Sequence, residues 1–353
     1  MIRKETRRDK MNIQEVLEAS KGNMGPFCKS CQVCNGLACR NQMPGPGAKG
    51  SGLGAIRNYE QWQKIFLCMD TITQKKQLDT KIQLFGRTFE LPIFAGPVGA
   101  VNLHYGDRYQ DWEYNQILVN GCAREKIAAF TGDGMDPHVM KAATRAIFEM
   151  DGIGIPTVKP WDFDTVKEKM KLVEQSGAFA VAMDIDAAGL PFLKNNIPPA
   201  GSKSVEELAK IIGLTQKPFI VKGIMTVKGA KKALEAGAKG IVVSNHGGRV
   251  LDSCPATASV LPQIVDAVGG KMKILVDGGI RNGIDIFKAL ALGADGVIIA
   301  RPFVNAVYGG QEEGVSVLLQ KYREELSDTM LMCGAYSINE INRTMIQYGG
   351  VEK

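Results

Sequence analysis

Histidine is scarce in this chain of 353 residues, so a reaction needing an imidazole has only His104, His138 and His246 to draw on. Long apolar runs are missing as well. None approaches the roughly 18 residues of a membrane helix, and the charged Met1–Lys10 opening is not followed by a signal-peptide apolar stretch. The expectation is a cytoplasmic protein with no membrane partner. A commanding excess of one charge is also lacking: the net +6 owes much to Arg3, Lys4, Arg7, Arg8 and Lys10, with further lysines on helical segments such as 226–238. Charge spread in this way reads as solvated surface, with no nucleic acid as partner. Apolar residues are not in short supply. At 45% hydrophobic and 23% charged the chain can bury a sizeable core.

From Leu91 onward, short runs rich in Val, Ile and Ala alternate with longer amphipathic stretches, as buried parallel strands and their crossover helices do. The runs are Pro92–Gly99, Ala128–Gly132, Gly154–Lys159, Ala180–Asp186, Pro218–Ile224, Gly240–Asn245, Lys273–Gly279 and Gly296–Arg301. Among the helices between them, Ser204–Leu214 opens on a Ser N-cap followed by Glu206 and Glu207, and Thr226–Ala238 ends Glu-Ala-Gly-Ala. Eight such units favour an α/β fold of the closed (β/α)8 TIM barrel type, with an open doubly wound sheet as the alternative.

Residues 1–85 break this rhythm and read as an N-terminal extension to a barrel spanning 86–353. The extension holds a helical patch at Ile13–Ala19, a cysteine cluster, the Gly/Pro-rich stretch Pro44–Gly54 and a predicted helix around Tyr59–Leu67. Pro44–Gly54 is either a flexible linker or a loop folded over the strand ends.

In barrels of this kind the loops after the strands form the active face. Strand five ends on Lys222, costly to bury without an anionic or electron-rich partner, which points to a cofactor or substrate contact against the plainer reading of a snorkelling lysine. Strand six ends Ser244-Asn245-His246-Gly247-Gly248-Arg249. Its glycines let backbone approach a planar ligand, and Arg249 offers a fork of donors suited to a carboxylate. His246 is therefore the candidate catalyst, while His104 and His138 read as structural. After strand seven come Asp277-Gly278-Gly279 and Arg281, and after strand eight Ala300 and Arg301, where such barrels commonly hold a phosphate.

These residues resemble a family. Ser244 through Asp252, Pro255-Ala256-Thr257, Asp277 through Arg281 and Asp285 through Leu290 are similar to FMN-dependent α-hydroxy acid oxidases and dehydrogenases, most densely in the second half of the chain. The resemblance implies FMN across the strand ends, with Lys222 near its N1/O2 edge and Asp277, Gly279, Arg281 and Arg301 around its phosphate. It implies backbone contacts from Pro97, Val98, Gly99 and Ala100 beside N5, with Thr131 and Asp186 deeper in the mouth. Asp186 would orient His246 and raise its basicity, His246 would remove a substrate proton, and Arg249 would hold the anionic group of a small substrate. A homotetramer is implied as well; the electron acceptor is open.

The family's tyrosines before the barrel and after strand three, and its second substrate arginine after strand four, are missing: 42–58 and 154–163 lack Tyr and 187–200 lacks Arg, with Lys194 its sole cation. The substrate then differs from a typical 2-hydroxy acid's holding pattern, with Lys159 or Trp161 as candidate replacements. An FMN-dependent isomerase and a non-catalytic electron-transfer or sensor protein are the competing readings.

Cys28, Cys31, Cys34 and Cys39 follow a C-x2-C-x2-C-x4-C pattern. Its first three spacings are those of ferredoxin-like ligands, which suggests a 4Fe-4S cluster; zinc, redox thiols or no metal are the alternatives. Cys68, Cys122 and Cys333 read as ordinary buried thiols, and Cys254 stands apart as a neighbour of the His246 loop.

Overall fold

The structure is a computed structural model and describes residues 11–42, 48–190, 193 and 200–349. The basic residues among the first ten, and Lys194, lie outside the described residues.

Each apolar run contains a strand: β1 Ile93–Ala95, β2 Phe130–Thr131, β3 Ile155–Val158, β4 Val181–Asp184, β5 Phe219–Ile224, β6 Gly240–Val243, β7 Lys273–Val276 and β8 Gly296–Ile299. They pair in parallel, each with its sequence neighbour from β2 to β8, and β8 pairs with β1. A bridge between Ala95 and Ala129 joins β1 to the start of β2, so the sheet closes and the open-sheet alternative falls. Burial on both faces explains the unbroken apolar character of these runs.

The predicted helices form with their caps. Ser204 caps Val205–Ile212 in a capping box with Glu207, and Thr226 caps Val227–Glu235. The lysines of the second helix, Lys228, Lys231 and Lys232, are exposed.

For the first ninety residues one expectation needs correction and one open alternative is decided. The helix placed at Tyr59–Leu67 runs instead over Leu53–Gln63 (α2), starting from the left-handed turn of Gly52, and Ile65–Leu67 is a strand. That strand pairs antiparallel with Ile346–Tyr348 at the far end of the chain, a partner that local pattern does not reveal. Pro44–Gly54 is no free linker in its described part. Lys49 N–H donates to Gly248 O at 2.9 Å and Ser51 binds Asp252 through backbone and hydroxyl, so residues 48–54 fold over the strand ends. At the opposite end a hairpin of Ile82–Leu84 and Arg87–Phe89, turned at Phe85-Gly86 with both φ positive, closes the barrel floor as Phe89 packs edge-on against Phe94.

The helical patch becomes α1, Ile13–Asn23, capped by Asn12 and packed on the long helix Arg301–Met332. Among the described residues no helix is long and apolar enough to cross a membrane.

Candidate active site

The loops after the strands surround a cavity of about 1280 Å³, large enough for a cofactor and a small substrate together. Its wall brings together Pro97, Val98, Gly99, Ala100, Lys222, His246, Arg249, Gly278, Gly279, Arg281, Ala300 and Arg301, residues drawn from the ends of five different strands.

Helix α2 fixes the loops that carry the chemistry. Asn58 and Asn245 exchange two side-chain hydrogen bonds, 2.7 and 2.9 Å, and Trp62 Nε1 donates to Gly278 O at 2.8 Å. A Cβ on Gly279, whose φ is +85°, would meet Asn58 O at 2.3 Å. Glycine is needed at 279 for the approach of α2, besides whatever amide it offers a phosphate.

His246 sits just past β6 with φ +56°, and its Nδ1 lies 3.1 Å from Asp186 Oδ1. Asp186 is in a short 3-10 turn after β4, behind the imidazole and not among the cavity-lining residues. Burial lowers the imidazole pKa and Lys222 adds to this, while Asp186 pushes it back up; the net result is below the ordinary value. The carboxylate raises basicity as anticipated, but desolvation outweighs it. A ring that is neutral near pH 7 is the state a proton acceptor requires.

Lys222 is buried. Its ammonium donates to Ser244 Oγ at 3.0 Å and stands 3.4 Å from Asp277 Oδ2. Burial works against its charge, but Asp277, Asp186 and Asp184 together hold its pKa above the usual lysine value, so it stays cationic. Ser244 in turn donates to Asp277 Oδ2 at 2.9 Å and accepts from His246 N–H at 3.1 Å. Ser244 thus braces Lys222 and His246 from beneath. Asp277, expected near a phosphate, directs its charge at Lys222 instead, an opposite charge that suits a carboxylate better than a second anion would.

Arg301 lines the cavity, and its buried Nη1 has no protein hydrogen-bond partner. Arg281 donates through Nε to Cys34 O at 2.6 Å and through Nη1 to Ile280 O at 2.6 Å. Thr131 is buried with an unpartnered Oγ1, as is Thr157, which lines the cavity.

Sequence reasoning missed one participant and left the duties of others open. Tyr105, at the end of the short helix Val101–Tyr105, lines the cavity near Arg249 and Arg301, and burial pushes its phenol well above the ordinary range. Lys159 and Trp161 prove to have different duties. Lys159 Nζ lies in the cavity wall 3.1 Å from Asp184 Oδ2, while Trp161 is buried and gives its indole N–H to Asp133 at 2.7 Å. His104 and His138 both line the cavity rather than standing apart from it, His138 on the exposed rim beside Asp136 at 2.9 Å. No local signal marks Tyr105, because its neighbours Arg249 and Arg301 are distant in sequence.

The family model described as FMN-dependent dehydrogenase matches residues 45–197 and 192–348. The chain belongs to the FMN-dependent dehydrogenase family. It is an FMN-dependent oxidoreductase by that membership. A peroxisomal (S)-2-hydroxyacid oxidase of Arabidopsis thaliana is 29% identical over 317 residues, 82% of this chain and 87% of the relative. An L-lactate dehydrogenase of Actinobacillus pleuropneumoniae is 29% identical, covering 81% of this chain and 88% of its own. An L-lactate oxidase of a Roseobacter species reaches 43% identity over 143 residues, 40% of this chain and 39% of that protein. Among solved structures, a mandelate oxidase variant with (S)-mandelic acid superimposes with TM-score 0.78 at 23% identity over 96% of this chain and 99% of that one, which concerns the fold.

The residues present fit FMN. Arg301 Nη1 and the Thr157 hydroxyl are buried donors at the cavity without protein partners, and Lys222 is a buried cation in the same wall.

Proposed function

We propose that this family member oxidises a small 2-hydroxy acid or a closely related anion to the 2-oxo compound. The observation that carries the reading is the pairing of a neutral imidazole, His246, held through Nδ1 by Asp186, with two cations, Lys222 and Arg249, around one cavity.

FMN, when bound, supplies a two-electron acceptor at N5. His246 accepts the substrate proton at Nε2, the nitrogen left over once Nδ1–H is given to Asp186. The imidazolium that results is stabilised by Asp186. Arg249 binds the substrate carboxylate, and Tyr105 beside it shapes the same corner. Lys222 supplies a fixed positive charge where negative charge accumulates on reduction. Gly278, Gly279, Ala300 and the Pro97–Ala100 backbone complete the cofactor's bed, with Arg301 as the principal phosphate cation and the buried, unpartnered Thr131 hydroxyl behind the wall.

The relatives' hydroxyacid and lactate activities support the substrate class. The Lys159–Asp184 pair stands in the wall where the resemblance would lead one to look for further substrate contacts, which favours a substrate other than the relatives' own. The cytosol, a homotetramer and a metal at Cys28, Cys31, Cys34 and Cys39 belong to this reading.

The test is anaerobic mixing of the yellow protein with a panel of 2-hydroxy acids while flavin absorbance is followed. One acid should bleach the flavin. His246→Ala and Lys222→Ala should each slow that bleaching by about 100-fold or more while the protein keeps its colour. Unchanged bleaching in both variants overturns the proposal.

A further inference from the structure

The family chemistry does not use the four-cysteine segment, yet the fold presses it against the cavity. Cys34 gives its carbonyl to Arg281, and the thiols of Cys28, Cys34 and Cys39 all lie within the electrostatic reach of Arg301. The segment forms no helix or strand. Its path depends on left-handed turns at Ser30 and Gly36, and Gly36 packs so near α2 that a Cβ there would come 3.2 Å from Ala55 Cβ. Cys28 Sγ reaches Asn305 Oδ1 at 3.8 Å, on the same helix that begins with Arg301.

Cys34 and Cys39 each lie within charge-interaction range of both Cys28 and Cys31. Even so, no three of these sulfurs lie within 4.8 Å of one another; the one set of three metal-capable groups that does, among the described residues, is Asp184, Asp186 and His246. A tetrahedral zinc ion with Zn–S bonds of about 2.3 Å would draw four sulfurs to roughly 4 Å apart. A cubane holds each thiolate on its own iron, so its sulfurs stand farther apart. Its oxidised form with four thiolates is a dianion, and the arginines beside it supply the opposite charge.

We propose that Cys28, Cys31, Cys34 and Cys39 bind a [4Fe–4S] cluster that carries electrons from the flavin, past Arg281 and Arg301, to a one-electron carrier protein of higher potential than the hydroxy acid. This relay rests on the oxidation proposed above. One hydroxy acid gives up two electrons and two protons on becoming the oxo acid. The electrons leave the reduced flavin singly, each converting the cluster from the 2+ to the 1+ core, and two oxidised carriers are reduced for each acid consumed. The protons pass to solvent.

The experiment uses full-length protein purified without oxygen, with iron, acid-labile sulfide, zinc and flavin measured separately. About four irons and about four sulfides per chain are expected, with little zinc. Cys31→Ser should lose the iron and sulfide while retaining flavin, Cys31 being partly exposed and the one of the four that stands clear of the arginines. Zinc without sulfide overturns the proposal, as does failure to take up iron and sulfide on anaerobic reconstitution. Iron and sulfide in protein that refuses flavin would leave the cluster standing and defeat the oxidation reading and the relay with it.

For the relay, the acid that bleaches the flavin should also produce the paramagnetic signal of a reduced cluster. With cytochrome c as the one-electron probe, Cys31→Ser should keep the bleaching and lose most of the cytochrome reduction. Bleaching of the unaltered protein with no cluster signal overturns the relay.

Discussion

At the scale of single residues, the site is governed by opposing influences on one imidazole. Burial and the Lys222 ammonium favour neutral His246, and Asp186 favours the protonated ring, with the first pair winning. A base works only when neutral, so turnover should fall as pH drops through a value below the ordinary histidine 6.5. Asp186→Asn removes the one strong influence acting upward. Its acid limb should move to still lower pH while the maximal rate drops by about 10- to 100-fold, because the imidazolium loses its counter-charge. A pH profile of anaerobic flavin reduction reads both effects; a limb moving upward contradicts this account of the dyad. His246, Lys222 and Arg249 were legible in the sequence because a polar residue ending an apolar strand has few reasons to be there. Tyr105 was not, since a tyrosine at the end of a five-residue helix carries no pattern of its own.

At the scale of elements, the site is as much the work of α2 as of the barrel. The helix lies over the glycine turn after β7, with Asn58 and Trp62 bonding to Asn245 and Gly278. Gly279→Ala would drive a methyl into Asn58 O and force a side chain into φ +85°, a loss of about 2–4 kcal/mol. At Gly247, with φ +63°, the nearest atom to an added Cβ is Arg301 Nη2 at 3.5 Å, so alanine there should cost only the backbone strain, about 1 kcal/mol. Urea midpoints of the two variants measure the contrast, and equal losses would show that α2 does not clamp the turn. The strands were readable because burial on both faces writes them as apolar runs. The switch from helix to strand after Gln63 was not: Ile65-Phe66-Leu67 becomes extended by pairing with Ile346–Tyr348, and no window of sequence contains both partners.

For the molecule as a whole, the groups that shape the cavity also set how stability responds to pH. Asp111, in the first turn of the helix Asp111–Arg124, lines that cavity and is half-buried. Burial pushes its carboxyl from the ordinary 3.8 up to about 6; the amides of Val101 and Ala100 pull it down, and Asp136 adds a little repulsion. Between those two pH values the folded chain holds a proton at Asp111 that the unfolded chain has lost. Its contribution is therefore fully present below the lower value and is lost as pH rises through the upper one. Asp111→Asn keeps an acceptor for the amides and never ionises, so it should gain over the parent as pH rises, by about 1–2 kcal/mol at neutrality after allowing for partial exposure. Urea unfolding of both proteins at pH 4 and pH 7 gives the difference directly. A gap that does not widen with pH would mean that Asp111 is ionised at ordinary cost, and that the cavity entrance is wetter than its packing implies.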